Sequence, residues 1–136
     1  MDLSKFDTST ASESGRFLHL EFDGEKLYED REPCGLRVLG PTSSTYKRIE
    51  KQLEKARMER IRIQRGGKVK GLSGDNDELY ASLVTEYVNL TLEGQPLSNP
   101  TPSDVQALFD RFPFIRDQVI AFVDDDANWL GESSTS

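Results

Sequence analysis

Apolar residues alternate with polar ones along RFLHLEF (residues 16–22), placing Leu18, Leu20 and Phe22 on one face. That two-residue period is the mark of a strand with one buried side. Asp23-Gly24 follows, and then EKLYED (residues 25–30). An Asp-Gly pair between two such runs predicts a two-residue hairpin, because the turn needs positive φ at both central positions. GLRVLG (residues 35–40) supplies a third short strand, with Leu36 and Val38 on one face. Gly40-Pro41 ends the run, since proline cannot donate to a ladder.

The period then changes. From about Thr45, Tyr46, Ile49, Leu53 and Ala56 are spaced three or four apart, which predicts a helix with a narrow apolar stripe. Lys47, Lys51 and Lys55 form a basic stripe beside it, and Gly66-Gly67 is expected to end the helix. SGDNDELYASLVTEYVNL (residues 73–90) reads as a second helix, capped by Asp75 or Asn76. Leu79, Leu83 and Tyr87 lie on its inner face, flanked by Tyr80, Val84 and Val88. TLEGQPLSNPTPS is a loop with a short extended stretch at residues 90–92. Thr101, Pro102 and Asp104 then have the order of an N-cap, an N1 proline and an N3 acid. VQALFDRF is a short helix interrupted at Pro113. FIRDQVIAFVDDDANWLG is a last helix with Ile115, Val119, Phe122 and Val123 inward and Gly131 as its stop.

These elements predict an α+β fold: a small N-terminal antiparallel β region followed by a mainly α-helical C-terminal part of about four helices. The expected divisions are a flexible arm at 1–15, the β region at 16–40, a basic amphipathic helix at 41–63, a flexible linker at 64–74, a helical region at 75–131 and a flexible tail at 132–136. No internal repeat is expected. A chain of 136 residues suits one domain, and folding at that length buries roughly two-thirds of the unfolded surface.

Charge alters this picture. The chain carries a net −7, yet residues 42–71 carry ten basic and three acidic side chains, a local +7. Residues 1–41 sum to −4 and residues 72–136 to −10. Such asymmetry bears on partners rather than on fold. The block has three readings: a solvated helix face, a dock for an acidic protein surface, or a nucleic-acid contact using segment 47–70. The −14 carried by the rest of the chain disfavours the last, and Tyr46 is the block's one aromatic residue for stacking.

Catalytic sets are missing. His19 is the one histidine and lies on the less apolar face of its strand, and Cys34 is the one cysteine. A Cys-His pair would have no third group to orient it, and one of each cannot complete a four-ligand zinc site without several carboxylates. Asp124, Asp126 and Asn128 imitate the start of a calcium loop, but Trp129 stands where the turn needs glycine and Thr135 where it needs glutamate. GGKVKG is not a phosphate loop, because Val69 follows Lys68 where Ser or Thr is required. No cofactor and no enzymatic activity is expected. The first residues lack an apolar core of the kind a signal peptide carries, and no apolar run approaches the roughly 20 residues of a membrane helix. The expectation is a soluble intracellular protein without a membrane partner.

The order of the parts is similar to that of the tail assembly chaperones of tailed bacteriophages, over nearly the whole chain. The matching positions are Gly40, Pro41 and Ser43 before a charged helix, Gly94 and Pro96 in a turn, the Phe114-Ile115-Arg116-x-Gln118 stretch, and the closing Asn128-Trp129-Leu130. Tyr87 stands where the family often has Trp, and Trp129 where it often has Phe. The resemblance implies a non-enzymatic protein that binds the tape-measure protein and tail-tube subunits in the bacterial host cytoplasm and is absent from the mature virion. Self-association is a further expected contact, and the alternative functions are nucleic-acid binding through segment 47–70 and a structural place in the tail or virion. The expected partner-binding residues are Arg57, Arg60, Arg62 and Arg65 in the basic block, with Phe114 and Trp129 as exposed aromatics among the last helices.

Overall fold

The computed structural model describes residues 2–63 and 73–130. In chain order they form helix α1 (Ser9–Ser14) and strands β1 (Arg16–His19), β2 (Glu21–Phe22), β3 (Glu25–Lys26), β4 (Tyr28–Glu29), β5 (Glu32–Pro33) and β6 (Gly35–Val38). Helices α2 (Ser44–Ile63) and α3 (Ser73–Leu83) follow, then strands β7 (Val84–Val88), β8 (Thr91–Leu92) and β9 (Gln95–Pro96), and helices α4 (Pro102–Arg111) and α5 (Pro113–Asp124). Single 3-10 turns lie at Leu3–Phe6 and Asp126–Trp129. The fold is mixed α+β, with antiparallel strands first and helices mostly in the C-terminal part.

A three-stranded antiparallel sheet in the order β1-β6-β7 is the scaffold. Leu18, Leu36 and Tyr87 share its inner face in register. Buried apolar side chains of α3, α4 and α5, among them Leu83, Phe109 and Val119, complete one continuous core with that face. Strands β2 and β3 pair across Asp23-Gly24 as the sequence predicts, with φ of 55° and 83°. A second tight turn, Asp30-Arg31 between β4 and β5, has the same pair of positive φ angles without glycine.

Three backbone hydrogen bonds close a ring where these ribbons meet. Leu27 N–H donates to Leu20 C=O at 2.9 Å, Cys34 N–H to Leu27 C=O at 3.0 Å, and Leu20 N–H to Cys34 C=O at 3.0 Å. The three residues are spaced seven apart. Each ends one ribbon and begins the next, so the ring fixes how β1–β6, β2–β3 and β4–β5 diverge. No backbone group of the ring is left unpaired at this buried junction, as burial demands.

The expected second helix is shorter than its pattern. It begins at Ser73, ahead of the expected caps at 75 and 76, and stops at Leu83, where Leu39 N–H captures the Leu83 carbonyl at 2.9 Å. Residues 84–88 leave as strand β7. Its register with β6 slips between Arg37 and Val38, so that Val38 faces Val84 while Arg37 faces Glu86, with Thr85 as the extra residue. A bulge of this kind puts Val84 and Tyr87, three apart, on one side of the sheet. The helical-looking spacing thus belongs to a bulged strand, and the helical region at 75–131 is interrupted by β7, β8 and β9.

The first 15 residues are not a loose arm over residues 8–15. Ser12 C=O accepts from Gly40 N–H, and the Glu13 carboxylate accepts from the Ser44 backbone and hydroxyl at 2.8 and 2.6 Å. These two bonds hold the Glu13 carboxyl below its usual range, the hydroxyl contributing most. Arg37 reaches the terminal carbonyls of α1 at Ser14 and Gly15, as cations do at helix C-termini.

The Gly-Pro-x-Ser segment is the corner on which these parts turn. Ser43 is fully buried; its hydroxyl donates to Gly40 C=O at 2.7 Å and accepts from Tyr46 N–H at 3.2 Å, capping α2. A side chain on Gly40 would fall on the Ser12 hydroxyl and within 2.8 Å of Trp129 Cδ2. Of the expected linker at 64–74, residues 73–74 belong to α3 and 64–72 lie outside the described residues, as do Gly131 and the expected tail at 132–136. The last helix ends at Asp124, not at 131. Two of the three adjacent carboxylates at 124–126 have partners within the chain: Asp124 accepts from the Tyr80 hydroxyl at 2.8 Å, and Asp125 caps the following turn through Ala127 N–H.

Gly40→Ala is expected to destabilise the fold by about 1–3 kcal/mol through overpacking, read as a lower midpoint in urea unfolding. An unchanged midpoint would mean that Ser12 and Trp129 are free to move apart.

Candidate functional site

Two eight-residue stretches share one pattern. LEFDGEKL (residues 20–27) and LTLEGQPL (residues 90–97) each place Leu first and last, an apolar residue third, and an acid-glycine pair in the middle. Both fold the same way. Glu93 and Gly94 have φ of 52° and 81°, repeating the Asp23-Gly24 turn, and Leu97 N–H donates to Leu90 C=O at 2.8 Å as Leu27 does to Leu20. The paired bases of the two hairpins present Leu20, Leu27, Leu90 and Leu97 to one groove.

The opposite wall is the corner between α4 and α5. Phe112 precedes Pro113 and takes a non-helical conformation, φ −128° and ψ 77°, because proline disfavours helical geometry in the residue before it. One residue therefore closes α4 and opens α5, and Phe112 and Phe114 both line the groove. Phe114 meets Phe22 edge to face at 5.0 Å and Phe112 at 6.4 Å between centroids. The groove encloses about 170 Å³, and Thr91 is the one polar residue among its lining. Each hairpin is tied to this corner. Gln118 accepts from Glu21 N–H at 2.8 Å and donates to Glu21 C=O at 2.6 Å, while Arg111 pairs with Glu93 at 2.9 Å. With no ionisable group lining it, the groove is suited to holding apolar side chains and not to acid–base chemistry.

The partner-binding residues expected from sequence do not form one site. Phe114 is half-buried in the groove. Trp129, expected to be exposed, is fully buried: its indole N–H donates to Val123 C=O at 3.0 Å and its ring meets Phe122 at 5.4 Å. It is a core residue because the chain turns back after α5 and lays it against Gly40. Arg57 and Arg60 are half-buried, continuing the stripe of Tyr46, Ile49 and Leu53, whereas Arg62 is exposed and 3.8 Å from Glu59. Arg57 lines a cleft between α2 and α3 with Leu53, Leu79 and Tyr80, and its Nε is shielded from solvent without a hydrogen-bond partner. Arg65 lies outside the described residues. Ala56, expected on the inner stripe, is exposed, and on the outer side of α2 Met58 is 62% and Ile61 47% exposed.

His19 is half-buried, 2.8 Å from Leu27 C=O through Nε2 and edge-on to Tyr28 at 4.8 Å. Cys34 is buried, which pushes its thiol above the ordinary range. Neither has the arrangement of a nucleophile with its base. Among the described residues no group of His, Cys, Asp and Glu is placed to hold a metal ion, and no helix is long and apolar enough to cross a membrane.

The groove's leucines and Phe22 escaped the sequence reading, though the repeated eight-residue pattern was the signal that marks them. No family model, no curated protein and no solved structure matches the chain.

Trp129 is the chain's one tryptophan, so its emission should be blue-shifted and resistant to iodide. Quenching as strong as that of free tryptophan would show the ring to be accessible. A second expectation concerns alkaline pH. Burial, followed by the hydrogen bond to Asp124, raises the Tyr80 hydroxyl above its ordinary value of 10. The folded state then keeps this proton longer than the unfolded state does. Its stabilisation is complete below pH 10 and is lost as pH rises through the higher folded value. Tyr80→Phe should therefore flatten the fall in stability above pH 10, measured by urea unfolding across that range; an unchanged slope would place the effect elsewhere.

Proposed function

We propose that this chain is a non-enzymatic assembly chaperone of the tailed-bacteriophage tail type, holding apolar helical segments of a tape-measure protein or of tail-tube subunits before the tail forms. The reading begins from the order of motifs around Gly40-Pro41, Gly94 and Asn128-Trp129. The observation that carries it further is the open apolar groove between the two hairpins and the α4–α5 corner. Apolar helices are held in apolar grooves by side chains three and four apart. Phe112, Phe114 and the hairpin leucines offer such contacts, and the partly exposed Phe22 extends them outward. The negative charge of the whole chain favours solubility of a loaded complex.

In this reading the basic helix α2 is part of the docking surface for an acidic partner segment, and its positive field both steers encounter and adds to binding. The exposed Lys47, Lys51, Lys55 and Arg62 supply that field.

Co-expression with the tape-measure protein of the same genome tests the proposal. The tape measure should become soluble only with this chain and co-elute with it. Phe114→Asp should abolish co-elution while leaving the circular dichroism of the free chain unchanged. Reversing Arg57, Arg60, Arg62 and Arg65 together to Glu should also abolish the complex, and survival of the complex would reduce the block to a solvated face. If the tape measure stays insoluble and the chain instead binds nucleic acid with an affinity that falls steeply with salt, segment 47–70 is a nucleic-acid contact and the proposal fails.

A further inference from the structure

The cleft between α2 and α3 holds a cation that the described residues leave unmet. Tyr46, Leu53 and Arg57 of α2 face Leu79 and Tyr80 of α3 around about 370 Å³. Leu79 and Tyr80 are buried and give the cleft an apolar floor, against which Arg57 is half-buried. Its Nε is shielded from solvent and has no hydrogen-bond partner. Among the described residues its guanidinium forms no ion pair, not even with Glu54 one turn before it, whereas the exposed Arg62 lies beside Glu59. A guanidinium is a rigid fork of donors that matches a carboxylate two bonds at a time. A shielded N–H left unmet is unfavourable, and solvent does not reach Nε to relieve it. The Tyr80 hydroxyl is committed to Asp124, so Arg57 is the charged donor that this cleft offers to an anion.

The surroundings decide which anion fits. Glu50 and Glu54, both exposed, also line the cleft, and Asp124 bonds to Tyr80 at its wall. These three carboxylates repel a polyanion, whose charges repeat along the strand, and leave room for a single charge placed directly on Arg57. Leu53, Leu79 and the two tyrosine rings suit an apolar stem around that charge. We infer that the α2–α3 cleft receives one carboxylate side chain, carried on an otherwise apolar segment of a protein partner, with Arg57 as its receptor. The inference rests on the reading of α2 as a dock for an acidic partner and narrows it. Arg57 recognises the partner, whereas the exposed Lys47, Lys51, Lys55 and Arg62 attract it. Binding draws the guanidinium onto the carboxylate, so that Nε gains the acceptor it lacks.

Titration of the full labelled chain with phenylbutyrate, followed by NMR, tests the inference without a partner protein. This probe joins an apolar body to one carboxylate. It should shift the Arg57 Nε–H and the Tyr46 and Tyr80 ring signals saturably. Phenylbutanol, which lacks the charge, should bind about tenfold more weakly. Arg57→Lys, which keeps the charge but loses the fork, should weaken phenylbutyrate binding by about the same factor, with circular dichroism unchanged. Arg62→Lys should change nothing. Phenyl phosphate, which carries more negative charge, should bind more weakly than phenylbutyrate, and Glu50→Gln with Glu54→Gln should narrow that difference. The inference is overturned if phenylbutyrate leaves the Nε–H signal unmoved, if Arg57→Lys binds it like wild type, or if phenyl phosphate binds more tightly, which would assign the cleft to phosphate. In co-expression, Arg57→Lys alone should weaken co-elution with the tape measure and Arg62→Lys should not. A complex unaffected by Arg57→Lys overturns the cleft as the partner's seat and leaves the chaperone reading standing. The titration needs no tape measure, so failure of the cleft and failure of that reading are distinguishable.

Discussion

The close approach of Gly40 to Ser12 and Trp129 is the constraint on which the rest of the molecule depends. Four separate segments meet there: the end of β6, the first helix, the cap of α2 and the turn that closes the C-terminal region. A single methyl group at this position would hold them apart. The Gly40 carbonyl accepts from Ser43 while its N–H donates to Ser12, so the residue is also fully used as a hydrogen-bonding group. Because Trp129 is fixed here, α5 must run back across the sheet, and the α4–α5 corner is thereby set opposite the hairpins. The groove is a distant consequence of a contact that contributes none of its lining.

What was legible in the sequence follows from which interactions are local. The Asp23-Gly24 hairpin, the Leu36–Val38 strand, the Thr101 cap with its N1 proline, and the stop at Gly40-Pro41 each depend on residues within a few positions of one another. Their chemistry is visible in a short window. The strand at 84–88 was not legible because a bulge at Thr85 restores a three-residue spacing to the buried side, and a pattern of that spacing is also a helix pattern. The burial of Trp129 and the docking of residues 8–15 depend on Gly40, which lies far away in sequence. Composition alone makes an arm of Ser, Thr and Asp look solvated. Its partners are the backbone and hydroxyl groups at 40–44, and polar contacts of that kind leave no hydrophobic signature.

The groove shows the same division. Phe114 was legible as an aromatic near the surface, but its neighbours were not. Leu20 and Leu27 read as strand residues, and Leu90 and Leu97 as loop residues. Only the repeated spacing of Leu, acid-glycine and Leu relates them. The two hairpins are each only two residues per strand, too short to be stable alone. They are held by what lies at their bases: the ring of Leu20, Leu27 and Cys34 for one, and the Leu90–Leu97 bond for the other. Gln118 ties Glu21 near the base of the first hairpin to the helical corner, and Arg111 ties Glu93 at the tip of the second.

That construction explains why the groove stays open instead of collapsing onto its own leucines. A core closes because its walls can move together until packing is complete. Here one wall is a proline-fixed helix corner, and the other is a pair of turns whose backbone is committed to ring and ladder hydrogen bonds. Moving either wall inward would break bonds that have no replacement at a buried junction, at a cost of about 1–3 kcal/mol for each group left unpaired. Filling the groove from outside breaks none of them. The gain from covering its leucines and phenylalanines is therefore open to a second molecule and denied to the chain itself.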